Sequence, residues 1–135
     1  MTAIFRDTLT FEQPVTLNGV VGLKAAVPIT ATSLVGTTVY RVLSPYAGTV
    51  SMIKSVIQGA LTTGNATLTA KINGVAITTG ILTLTQAGSA PGDIDTCSPT
   101  AANTVAVGDE LSWTVGGTND AAVGAAGYFE ITRSV

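Results

Sequence analysis

The sequence predicts an all-β protein, an antiparallel sandwich or barrel. Three observations carry that expectation. Thr, Val and Ile fill the patterned segments, apolar and polar residues alternate with period two in several of them, and turn residues recur every eight to twelve positions or so. A chain of 135 residues has room for one domain with one core, and it can fold without disulfides or a structural metal.

Residues 1–35 read differently from the rest. They hold Phe5 and Phe11, two of the three phenylalanines, and an Asn18-Gly19 pair between Val15-Thr16-Leu17 and Val20-Val21. This stretch is either a first hairpin of the sandwich or an arm that packs elsewhere, and residues 36–135 form the sandwich. Val39–Leu43 is the first expected strand. The next segment, Val50–Leu61, is ambiguous, because apolar pairs at 52/53, 56/57 and 60/61 also fit an amphipathic helix. Its β-branched content and its strand neighbours favour a strand buried on both faces.

The clearest strand is Ala66–Ile72, with Leu68, Ala70 and Ile72 on one face and Thr67, Thr69 and Lys71 on the other. Asn73-Gly74 follows directly. It is the preferred pair for a two-residue type I′ hairpin, with Val75-Ala76-Ile77 returning. Ile81–Thr85, Leu111–Val115 and Gly127–Thr132 alternate in the same way, the last with Phe129 and Ile131 inward. The intervening segments read as loops. Of these, Ser98–Asn103 and Gly116–Gly124 are rich in small polar residues and are expected to be surface tips.

Charge is the unusual entry in the composition. Only 10% of residues are Asp, Glu, Lys or Arg, against roughly 25% in an average soluble domain. The apolar fraction is an ordinary 46%, so Thr, Ser, Gly and Asn have taken the place of charge. Such a composition suits a protein whose outside is partly covered by other subunits.

Several functional classes are excluded by residue type. With no histidine, Ser-His-Asp and Cys-His catalysis and His-ligated zinc are out of reach. A single cysteine, Cys97, allows neither an internal disulfide nor a Cys-rich metal cage, and it is expected to be a small buried hydrophobe. The net charge is −2, with Arg6, Lys24, Arg41, Lys54, Lys71 and Arg133 spread singly, so no nucleic-acid partner is expected. The opening Met1–Asp7 lacks the basic and apolar regions of a signal peptide, and no stretch approaches 18 apolar residues, so no membrane partner is expected either.

Four acids and one aromatic are the remaining candidates for chemistry. Asp93 and Asp95 lie two apart, so on a strand both carboxylates face one way, as in half a calcium site or one side of a glycosidase pair. The plainer reading is two solvated acids beside a Pro-Gly turn. Asp109-Glu110 follows Gly108 at a turn, where acids bond turn amides. Trp113 has the chemistry of a sugar-stacking platform, but it is in phase with Leu111 and Val115 and is expected in the core. Asn65-Ala66-Thr67 is formally a glycosylation acceptor and carries no weight without a secretion signal. No catalytic residue, metal ligand or cofactor-binding residue is expected, and no enzymatic activity.

Three runs carry a family resemblance: Val39–Val50 (VYRVLSPYAGTV), Gly64–Gly74 (GNATLTAKING) and Val107–Leu111 (VGDEL). An aromatic strand entering a Gly-marked corner, then a NATLTxxINGxxI-like hairpin, then an AANTVxxGDxL-like strand entry, resembles the small jelly-roll capsid decoration (cement) and head-fibre proteins of tailed bacteriophages. The likeness covers about residues 37–133. It implies a single jelly-roll-like sandwich, while residues 1–35, which the likeness does not reach, are read as an N-terminal arm. It also implies a structural virion component, made in the host cytoplasm, that sits on the outer capsid surface and clamps neighbouring coat subunits. Its partners would be the major capsid protein and itself, as a homotrimer. Phe5, Arg6, Phe11 and Glu12 are the expected capsid or subunit contacts, since aromatic and Arg side chains anchor interfaces. The alternative is a glycan- or receptor-binding jelly-roll module of a phage fibre.

Overall fold

The computed structural model describes residues 23–134 and shows an all-β sandwich of two antiparallel sheets. In chain order the strands are β1 (Lys24–Ala31), β2 (Val39–Leu43), β3 (Gly48–Ile57), β4 (Ala66–Ile72), β5 (Val75–Leu84), β6 (Ile94–Cys97), β7 (Thr104–Val105), β8 (Glu110–Gly117) and β9 (Ala125–Arg133). One sheet runs β1-β9-β3-β6, with β7 also paired to β3. The other runs β2-β8-β4-β5. The chain crosses from sheet to sheet after β1, β2, β3, β5, β7 and β8, a winding compatible with a jelly roll.

Alternation builds the core. The inward residues Val27, Ile29, Val50, Ile53, Leu68, Leu82, Leu84, Leu111, Val115 and Ile131 are buried between the sheets. Trp113 and Phe129 face each other across the gap, with ring centroids 6.2 Å apart and tilted by 35°. Trp113 is thus a core residue, as its phase with Leu111 and Val115 implies.

The sandwich begins earlier than residue 36. Lys24–Ala31, placed by the sequence in the arm, is the edge strand of the five-stranded sheet and pairs along its whole length with β9. Val27, Ile29 and Ala31 alternate inward, and Pro28 is tolerated because an edge strand needs hydrogen bonds on one side only. The remainder of the arm, with Phe5, Arg6, Phe11, Glu12 and the Asn18-Gly19 pair, lies outside the described residues.

The ambiguous Val50–Leu61 segment is strand as far as Ile57. Its helix-like apolar spacing has a mechanical cause. The register against β9 shifts between Val50 and Met52, and the extra residue moves the inward phase from Gly48 and Val50 to Ile53, Ser55 and Ile57. A similar irregularity interrupts β5. Thr69 pairs with Ile81 and Lys71 with Ala76, and the surplus residues bulge around Thr79, at φ 57°.

Loops at the far end close the sandwich. Asn119 is buried rather than sitting at a surface tip: its side chain accepts from Thr62 N at 3.1 Å and donates to Leu34 O at 3.2 Å. One amide therefore ties three loops together, and no strand geometry could supply those bonds.

Candidate functional site

The four candidate acids fall at opposite ends of the sandwich. Asp93 and Asp95 lie where β6 leaves the far end, whereas Asp109 and Glu110 open β8 beside the β4–β5 hairpin. They form no facing pair. Among the described residues, no three Asp, Glu, Cys or His side chains come together as a metal site would require.

Each acid has local work. Asp93 accepts from Ala90 N at 2.8 Å and so closes the Pro-Gly turn. Asp95 is half-buried at the sheet edge. Burial, and then the charge of Asp93, push its pKa above the ordinary carboxylate value. Asp109 accepts from Asn73 Nδ2 at 2.9 Å and from Ala106 N at 2.7 Å, and these bonds hold its pKa below the ordinary value. Glu110 pairs with Arg41 at 3.3 Å on an exposed flank. Cys97 is only half-buried on β6, short of the full burial expected, and burial still pushes its thiol up to about 11.

Two surface features stand out instead. The first is the end of the sandwich where the chain enters at Leu23 and leaves at Ser134. Here Asn73 and Gly74 occupy the β4–β5 turn at φ 48° and 81°, as a type I′ hairpin requires. Asn73 N donates to Glu110 O at 2.8 Å, and Glu110 N donates to Asn73 Oδ1 at 2.9 Å. Ser44 N donates to Asp109 O at 2.9 Å, and Gly108 N to Ser44 O at 2.7 Å. Three turns are therefore fastened into one platform. Leu43, Val75 and Val107 stand on it, 66%, 64% and 68% exposed. Large apolar side chains this exposed on a pre-ordered base are what an interface anchor looks like.

The second feature is a groove of about 420 Å³ on the outer face of the five-stranded sheet, walled by Lys54, Val56, Ile94, Ala126 and Tyr128. Its lining is mostly apolar, and Ile94 at its rim is 67% exposed. Lys54 is the one charged side chain of the lining and has no ion-pair partner among the described residues, whereas Lys24 holds Glu130 at 2.8 Å on the same face. Sequence reasoning missed this groove. Its only trace was the apolar surplus at Val56 and Ile94, which alternation alone assigns to outward positions.

Comparison of the chain with protein-family models, with curated proteins and with solved structures finds no match.

Proposed function

We propose that this protein is a structural virion component, a capsid decoration protein that binds the outer surface of a tailed-phage capsid as a homotrimer and stabilises neighbouring coat subunits. The supporting observation is the chemistry of the sandwich's outer faces. On the four-stranded sheet, Thr67, Thr69 and Thr83 point outward, and Lys71 and the Arg41–Glu110 pair are the charges among them. With only 10% of the chain's residues charged, such hydroxyl-bearing faces are a weak coat for a free-standing monomer and a suitable one for lying against other protein. The resemblance in the strand-and-turn runs and the jelly-roll-compatible winding support the same reading.

In this reading the apolar platform of Leu43, Val75 and Val107 faces the coat, because the arm leaves from the same end. Phe5, Arg6, Phe11 and Glu12 complete the contacts, to coat protein or to a sister subunit. Many weak attachments per capsid give avidity without strong single contacts. The direct test is co-sedimentation of the full-length protein with capsids of the phage that encodes it. Wild type should pellet with capsids, and Leu43→Asp combined with Val107→Asp should stay in the supernatant while melting normally. Failure of the wild type to pellet would remove the proposal.

Tyr128, as an aromatic wall of an open groove, favours a second reading, a glycan- or receptor-binding fibre module. Sugar recognition also needs several polar partners, and the groove offers few. A glycan-array signal lost in Tyr128→Ala would establish that alternative.

A further inference from the structure

The outer-face groove is mostly apolar and is left open by every described part of the chain. At its rim is Lys54, which has no acid within ion-pair distance among the described residues, although its charge is felt by Glu130 on the same face. The segment that precedes Leu23 has complementary chemistry. Residues 1–22 contain Ile4, Phe5, Leu9 and Phe11 with three charged residues, Arg6, Asp7 and Glu12. Phe11 and Glu12 are adjacent, so one dipeptide offers an aromatic ring for the pocket between Ile94, Val56 and Tyr128 and a carboxylate for Lys54. The 11 residues from Glu12 to Gly22 can span up to about 40 Å when extended. That is ample to leave the entry edge at β1 and reach a sheet face on a neighbouring molecule.

We propose that the groove is a docking site for Phe11–Glu12 of a second copy of this chain, the ring seated against Ile94 and the Glu12 carboxylate paired with Lys54. The proposal rests on the self-association in the functional reading and names the contact that produces it. An arm entering a groove is a heterologous contact, which closes into a ring when the rotation fits, and three copies are the smallest ring beyond a dimer. Ring closure covers the groove, the rim isoleucine and the arm aromatics of every copy at once. It leaves the apolar platform at the entry end free for the coat.

The test uses the full-length chain. Equal amounts of ¹⁴N- and ¹⁵N-labelled protein are mixed, unfolded and refolded together, and treated with a zero-length carbodiimide. The expected product is a Glu12–Lys54 isopeptide joining one light and one heavy peptide. Links found only within light or only within heavy chains would mean that the arm folds onto its own sheet, and they overturn the proposal, as does the absence of the link. Charge reversal gives an independent check by sedimentation. Lys54→Glu and Glu12→Lys should each weaken self-association about tenfold or more, and the double reversal should restore most of it. Single reversals that assemble like wild type would contradict the assignment. An oligomer that carries the mixed link yet ignores capsids would sink the decoration reading and leave this contact standing.

Discussion

The indole of Trp113 lies against Gly127 across the sandwich: a β-carbon at position 127 would come within 2.7 Å of Trp113 Cη2, and it would also overlap the carbonyl oxygen of Lys54. The largest side chain of one sheet thus fits over the one residue of β9 that has no side chain. This contact sets the spacing of the two sheets next to the Trp113–Phe129 pair.

Gly127→Ala should destabilise the protein by on the order of 3 kcal/mol, the upper range for overpacking a filled core. Trp113→Phe in the Gly127→Ala background should recover part of that loss. It should not recover all of it, because the overlap with the Lys54 carbonyl remains. Denaturant unfolding of the four proteins measures the coupling directly. Unchanged stability in Gly127→Ala would mean that the sheets stand further apart at this point.

Asn73 holds both a left-handed backbone and two side-chain bonds to the β7–β8 turn. Asn73→Gly keeps the backbone freedom and loses the bonds. Asn73→Ala loses both and should be less stable than the glycine variant by about 1 kcal/mol. Equal melting temperatures for the two variants would show that the turn is not held at positive φ.

Asp95 has a folded pKa raised above 3.8 by burial and by Asp93. The folded state therefore binds a proton more tightly than the unfolded chain does. Its contribution to stability is lost as pH rises through the window between the two values. Asp95→Asn should melt higher than wild type at about pH 7, and the difference should shrink below about pH 3.5, where both states are protonated. A variant that melts lower at neutral pH would mean that the carboxylate makes a bond that its burial conceals.

Alternation made most of the fold legible. Ala66–Ile72, Leu111–Val115 and Gly127–Thr132 have strict period two, and the Asn73-Gly74 turn names its own geometry. The features that stayed hidden share a physical cause, which is that a long-range contact overrides the local pattern. The bulge between Val50 and Met52 mimics a helical period because β9 absorbs one residue fewer than β3 supplies. Pro28 hides a strand that is allowed only because β1 is an edge. Asn119 looks like a surface polar residue until the loops that it ties are brought together. Asp109 was legible as a turn former, whereas Asp93, read only as a solvated acid beside the Pro-Gly turn, in fact closes that turn through Ala90 N. The groove was not legible, because Lys54, Ile94 and Tyr128 lie on three separate strands whose neighbours only the sheet order reveals.

Sedimentation equilibrium of the full-length chain at micromolar concentration bears most directly on the claim that the outer faces of this charge-poor chain exist to be covered by further copies. The expected result is a species of about 41 kDa, three copies of the 13.6 kDa chain, persisting on dilution. A single 13.6 kDa species at every concentration would contradict it.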